Sequence, residues 1–269
     1  MKRTLTAVLM AATMIPILIW GDLYYIFDIF CLLLTLGAAV EFRAMLRHTK
    51  KLPRWIDGLA VALAGAAYVA VRYVNVLPMA PSAVLFGTVL VFGIVLVFVE
   101  AFRSEDFGHA LSTVLYGSIG FAAIAILREI GIHYVIYILI GAMVTDTAAY
   151  FFGTKFGRHR LCPTVSPKKS VEGAIAGAAF GTAGAAAYAF ALHLFDGALG
   201  VVSVLLVSFA VTAVAQVGDL VASKFKRCHG IKDYSNLFPG HGGILDRFDS
   251  SMFAAVFVLF VVILTGAFA

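Results

Sequence analysis

Read as apolar runs separated by polar breaks, the chain gives nine runs, near 4–20, 23–40, 56–74, 82–99, 110–127, 134–152, 173–195, 198–222 and 251–268. Each is about the length an α-helix needs to cross a bilayer, roughly 20 mostly apolar residues. The runs are continuous rather than alternating, which disfavours a transmembrane β-barrel built from segments of about 10 residues. The pattern predicts an all-α, polytopic integral membrane protein with about nine transmembrane helices. Met1-Lys2-Arg3 could open a signal peptide, but the first run ends in Ile19-Trp20-Gly21-Asp22 without a small-x-small cleavage site and reads as a retained helix.

The basic residues orient these helices. With the N-terminus cytoplasmic, eighteen of the twenty Lys and Arg fall in inner segments, and only Arg72 and Arg128 lie outside. A missed span would scramble that asymmetry, so it supports both the count and a C-terminus outside. The inner segments near 153–172 and 223–250 are long loops; residues 1–133 then form an N-terminal set of helices, and 134–269 a C-terminal set carrying both loops. The seventh run opens with Gly173, Gly177 and Gly181 at four-residue spacing, then Gly184, a small-residue face suited to close helix packing within the bundle or between subunits.

Composition narrows the class. Of 269 residues, 62% are hydrophobic and 13% charged, against about 45–50% and about 25% in soluble domains. Intrinsic disorder, a disulfide-stapled secreted fold and nucleic-acid binding are disfavoured. Cys31, Cys162 and Cys228 form neither a CxxC pair nor a His/Cys cluster.

Candidate chemistry concentrates in the two loops. If the eighth helix continues past the membrane surface, Asp219, Ser223 and Lys226 or Arg227 share one of its faces. Asp246 and Asp249, three residues apart at the start of the ninth helix, share another. Pro239-Gly240-His241-Gly242-Gly243 is a turn whose backbone N–H groups can approach an anion. Three carboxylates, Asp219, Asp246 and Asp249, ringed by Lys226, Arg227, Lys232 and Arg247, suit a complex of Mg²⁺ with a polyphosphate; the plainer reading is a charged loop against anionic lipid. Ser170 is a candidate N-cap for the seventh helix, and Ser166-Pro167-Lys168-Lys169 brings cations and a hydroxyl to its positive end. Asp146, an acid inside the sixth run, is expected to line the same cavity as Asp219, or else to be a buried acid satisfied by Thr145 or Thr147. Asp28 reads as structural.

The stretch Ser223 to Asp249 resembles the signature of the phosphatidate cytidylyltransferases: S-x-F-K-R, four residues, K-D-x-S, two residues, F-P-x-H-G-G-I-x-D-R-F-D. Asp146 to Arg158 and Ser166 to Gly173 resemble the same family. The resemblance implies the reaction CTP + phosphatidate → CDP-diacylglycerol + pyrophosphate at the cytoplasmic face of the inner membrane, in phospholipid biosynthesis. It implies Mg²⁺ as cofactor, with a second, monovalent cation left open, and a homodimer. Metal binding then falls to Asp219 and Asp246, with Asp249 a third candidate; Lys226, Arg227, Lys168, Lys169 and Arg247 would neutralise the two substrates, and Ser223 and Ser170 would donate hydrogen bonds. Ser166, Lys232, His241, Gly242 and Gly243 join the phosphate-binding set, and Asp146 shapes the cavity.

Two rivals remain at this point. A CTP-dependent polyprenol or phytol kinase would share the nucleotide features but needs a base for its alcohol acceptor, and a secondary transporter built around Asp146 should show paired halves, which are not visible. No G-x-x-x-x-G-K-[ST], no G-x-S-x-G and no D-G-x-x-A-R run occurs.

Overall fold

The computed structural model describes residues 2–21, 25–195 and 199–266. Among them lie nine helices: α1 (Lys2–Trp20), α2 (Ile26–Leu46), α3 (Arg54–Arg72), α4 (Ala80–Phe98), α5 (Ser104–Ile130), α6 (Ile132–Phe156), α7 (Val171–Ala191), α8 (Val201–Cys228) and α9 (Leu245–Thr265). Eight of them, α2 to α9, are long and apolar enough to cross a membrane. The expected run limits at 23, 198 and 268 lie outside the described residues.

The helices depart from the apolar runs chiefly at their polar ends. A helix satisfies its own backbone, so nothing obliges it to stop where the apolar run stops. Thus α2 continues through Glu41 and Arg43, α6 continues to Phe156, α8 continues to Cys228, and α9 begins at Leu245, six residues before its apolar run, with Asp246 and Asp249 at its start as expected. The segment expected as a loop between α6 and α7 contains a short antiparallel hairpin, β1 (Arg160–Cys162) and β2 (Ser166–Ser170), with Cys162 opposite Ser166 and Arg160 opposite Ser170.

The chain forms two compact units, residues 1–125 with 228–247 and residues 126–227 with 248–269. The first has an apolar core in which Ile56 and Ala60 of α3, Phe92 of α4 and Ala110 of α5 are fully buried. Phe92 stacks on Phe102 with ring centroids 6.1 Å apart. Asp28 is structural, as its sequence context suggests: it is ion-paired with Arg72 of α3, whose Nη2 also donates to it at 3.2 Å, and Tyr68 Oη donates to the Asp28 carbonyl at 3.0 Å.

In the second unit α6 and α7 pack closely along the glycine face. A Cβ at Gly177 would lie 2.8 Å from the Thr145 carbonyl oxygen and 3.0 Å from Ala149 Cβ. Bare backbone is therefore required there, and the stripe of small residues is a seam between α6 and α7 of one chain. Ser170 caps α7 as its sequence position predicts, its Oγ accepting from Gly173 N at 3.2 Å.

Candidate active site

In the second unit a cavity of about 200 Å³ opens beside the hairpin. Asp146, Tyr150, Gly153 and Thr154 of α6, Lys168, Lys169 and Ser170 of β2, Gly173 and Ala174 of α7 and Gln216 of α8 line it. Asp146 is exposed toward this space rather than buried, and Thr145 Oγ1 has no hydrogen-bond partner, so the reading of Asp146 as a buried acid satisfied by that threonine fails. Asp219 is not itself a lining residue. Its carboxylate forms an ion pair with Lys169 Nζ, which does line the cavity, and accepts a long 3.4 Å contact from Ser223 Oγ one turn along α8. The continuation of α8 to Cys228 places Asp219, Ser223 and Lys226 on one face, and Lys226 is buried.

Asp249 completes this acidic pole. It is 8% exposed, and Asp219 and Lys226 lie near enough to act on it electrostatically. The approach of α9 to α8 depends on Gly218, where a Cβ would fall 2.7 Å from the Asp249 carbonyl oxygen. Arg227 is exposed, and its Nε donates to the Val165 carbonyl oxygen at 3.3 Å, tying the end of α8 to the hairpin turn.

The remaining signature residues lie in the first unit. Gly240 and Gly242 both have φ of +81°, and Phe238 N donates to Gly242 O at 2.9 Å, closing a tight turn. A Cβ at Gly242 would sit 2.7 Å from Asp246 Oδ2. That oxygen accepts from Gly243 N at 2.9 Å and Tyr234 N at 2.8 Å. The Gly243 N–H, expected to face an anion, is thus engaged by Asp246, because a helix start near a carboxylate satisfies its free donors locally. His241 Nδ1 is buried without a hydrogen bond, while Lys232 and Arg247 are exposed. Ser166 is half-buried on β2.

No group of three or more His, Cys, Asp or Glu among the described residues is gathered for a metal ion. The residues fit a metal that arrives with its substrate: Mg²⁺ characteristically takes one or two carboxylates and completes its shell with phosphate and water. Asp219 and Asp249 supply two carboxylates in one unit. Asp246 has one oxygen committed to the turn. The three cysteines are free.

A second cavity, about 210 Å³, lies in the first unit among Arg43, Arg47, Lys50, Asp57, Asp106 and His109. Each of these cations is paired with an acid: Arg43 Nε and Arg47 Nε donate to the two oxygens of Asp57 at 2.7 and 2.5 Å, and Lys50 pairs with Asp106.

Gln216 and Glu41 escape a reading of the sequence alone. Gln216 carried a signal, a lone amide in an apolar run three residues before Asp219. Glu41, buried in α2, accepts from Ile244 N and Leu245 N at 2.9 Å and from Ser235 Oγ at 2.6 Å. Nothing in the local sequence links it to a segment some two hundred positions away.

Residues 1–265 match the cytidylyltransferase family. The chain is 34% identical over 252 residues to a phosphatidate cytidylyltransferase of Staphylococcus aureus (strain COL), an alignment covering 93% of this chain and 94% of that protein. Similar matches are to proteins of the same name from Staphylococcus haemolyticus (strain JCSC1435), 33% identical over 252 residues, and Staphylococcus epidermidis (strain ATCC 12228 / FDA PCI 1200), 34% identical over 253, each with the same coverage of both chains. With eight helices among the described residues able to span a membrane and the polar cavity and acidic pole described above, the chain belongs to the cytidylyltransferase family as an integral membrane member.

Proposed function

We propose that this protein is a phosphatidate cytidylyltransferase, forming CDP-diacylglycerol and pyrophosphate from CTP and phosphatidate. The observation that carries the reading is the cavity of Asp146, Lys168, Lys169 and Ser170, joined through Lys169 to Asp219 and Ser223, in a chain similar over 93% of its length to enzymes of that name.

The chemistry suits these residues. A phosphate oxygen of phosphatidate attacks the α-phosphorus of CTP, a new P–O bond forms, and the bond to the β-phosphate breaks as pyrophosphate leaves. A phosphomonoester has its second pKa at about 6, so the nucleophile is already largely ionised at pH 7 and no strong general base is required. The site must instead neutralise charge and align the two phosphates. Lys168 and Lys169 on the hairpin supply cations at the cavity, Lys226 and Arg227 extend them along α8, and Ser170 and Ser223 offer hydroxyls. Asp219 and Asp249 would hold Mg²⁺, with Asp246 a third candidate; the ion, when bound, neutralises and orients the triphosphate. By the family resemblance, Lys232, His241 and Arg247 of the segment Ser223 to Asp249 are phosphate contacts as well.

The reading places the site at the cytoplasmic surface of the cell membrane, where the basic residues concentrate, and the catalytic side chains after residue 134. It also takes a homodimer as the working unit, as the family resemblance implies. An alcohol-accepting kinase is the reading that would remain if phosphatidate failed as acceptor. Detergent-purified protein, given radiolabelled CTP, Mg²⁺ and phosphatidate, diacylglycerol or a polyprenol in parallel, is expected to label a lipid only with phosphatidate, and Asp219→Asn to remove that label. Label entering the polyprenol, or none entering phosphatidate with folded protein, would reject the assignment.

A further inference from the structure

We infer that Glu41 is a positioning residue for this reaction: from α2 its carboxylate fixes the start of α9 and the turn carrying His241 and Asp246. The inference rests on the proposed function and extends it to a part of the chain outside both signature segments.

Glu41 is 6% exposed within a membrane-spanning helix. A carboxylate so placed is costly unless hydrogen bonds compensate it. Oε1 accepts from Ile244 N and Ser235 Oγ, and Oε2 from Leu245 N. Ile244 and Leu245 open α9, where the first N–H groups have no partner inside the helix and the helix dipole favours a negative charge. Asp246 takes the preceding N–H, that of Gly243. Three consecutive donors are therefore closed by two carboxylates, one local and one reaching across from α2.

The surrounding packing is shaped for this contact. A Cβ at Gly243 would lie 2.6 Å from the Glu41 carboxyl carbon, so the residue facing the acid has to be glycine. One turn earlier on α2, Gly37 leaves room for the Ile244 side chain, and one residue later Phe42 stacks on Tyr234 with ring centroids 6.4 Å apart. Gly37, Glu41 and Phe42 thus form a cradle for the segment 234–245.

Glu41 is engaged by backbone donors and one hydroxyl, so it acts through the segment it holds. That segment carries His241 and leads directly into Asp246, whose usefulness depends on placement, and a misplacement of about 1 Å can cost roughly 10²-fold in rate. A glutamine at position 41 keeps the shape of the side chain but turns an NH₂ donor toward a backbone donor. Glu41→Gln is therefore a test that changes one atom and one charge.

The experiment measures initial rates over CTP and phosphatidate concentrations, together with hydrogen exchange of the peptide spanning 234–245, in wild type and Glu41→Gln. The expected result is a fall in kcat of about 30-fold or more with both KM values within about twofold, and exchange at Ile244 and Leu245 faster by about tenfold, with helices elsewhere protected as in wild type. A kcat within about twofold of wild type overturns the inference. Exchange that quickens throughout α2 to α5, or KM values rising in step with lost kcat, would mean a general structural role and also overturns it. Wild-type protein that makes no CDP-diacylglycerol rejects the proposed function itself and the positioning role with it, while the exchange measurement still shows whether Glu41 holds the segment. Should Glu41→Gln not accumulate, Ser235→Ala removes one of the three contacts and keeps the acid. Its kcat should fall by about threefold to tenfold, and an unchanged kcat counts against the inference.

Discussion

Lys169 and Asp219 neutralise one another across fifty positions of sequence. Removing the cation leaves the acid beside Asp249 without this ion pair, and, on the proposed function, removes a donor to the phosphates. Lys169→Met should lower kcat by about 10²–10³-fold, the usual cost of deleting one electrostatic donor from a transfer site; saturating initial rates measure it. Arg72 makes a different kind of pair. It is paired with Asp28 of α2, and both side chains are mostly buried, at 10% and 14% exposure. Arg72→Leu should destabilise the protein by about 3 kcal/mol by leaving a buried carboxylate unpaired, and the double variant Arg72→Leu/Asp28→Leu should regain most of it. Thermal denaturation in detergent reads both, and a double variant no more stable than the single one would refute the argument. Lys169 and Asp219 were each legible as candidates, Lys169 from the polar loop it stands in and Asp219 as an acid near the inner end of an apolar run. Their pairing was not, because a contact between β2 and α8 leaves no local periodicity. Glu41 was illegible for the same reason: an acid at the end of an apolar run reads as a membrane boundary.

Among the elements, α7 shows what spacing can and cannot announce. Glycines at four-residue intervals pointed to close helix contact, and the partner proved to be α6 of the same chain. The consequence differs along the stripe. Gly177→Ala would press on the backbone of α6 and should cost about 1–3 kcal/mol. Gly184→Ala, whose Cβ would rest 3.5 Å from Val144 Cγ2 in ordinary contact, should be nearly neutral. Denaturation midpoints of the two variants compare them directly, and equal loss would refute the steric account. The hairpin was hidden by its own sequence. Ser166-Pro167-Lys168-Lys169-Ser170 has no alternation of apolar and polar residues and includes a proline, so only its pairing with Arg160–Cys162 makes it a strand. The end of α2 was illegible beyond its apolar run, as Glu41 illustrates, whereas the paired acids Asp246 and Asp249 marked the start of α9.

For the whole molecule, the apolar runs and the placement of Lys and Arg made the architecture readable, because a bilayer allows few ways to satisfy a backbone. The division into two compact units was not readable, since α5, α8 and α9 each contribute residues to both. A metal held by few protein ligands should be easily removed: EDTA is expected to abolish transfer and added Mg²⁺ to restore it, with the helical circular-dichroism signal unchanged throughout. Unimpaired transfer in EDTA would reject the metal. The glycine seam is committed within the chain, so a homodimer has to use another face, which cross-linking in native membranes can locate.

The α6–hairpin–α7 unit has one further consequence, for biosynthesis. It occupies one contiguous stretch, residues 132–191, and the seam between α6 and α7 is made of contacts within it, such as Gly177 against Thr145 and Ala149. Local contacts form early, and chains emerging from the ribosome fold from the N-terminal side. One wall of the cavity, with Lys169 already in place, can therefore assemble in the membrane before Asp219 has been synthesised, and the arrival of α8 supplies the missing counter-charge to a surface that is waiting for it.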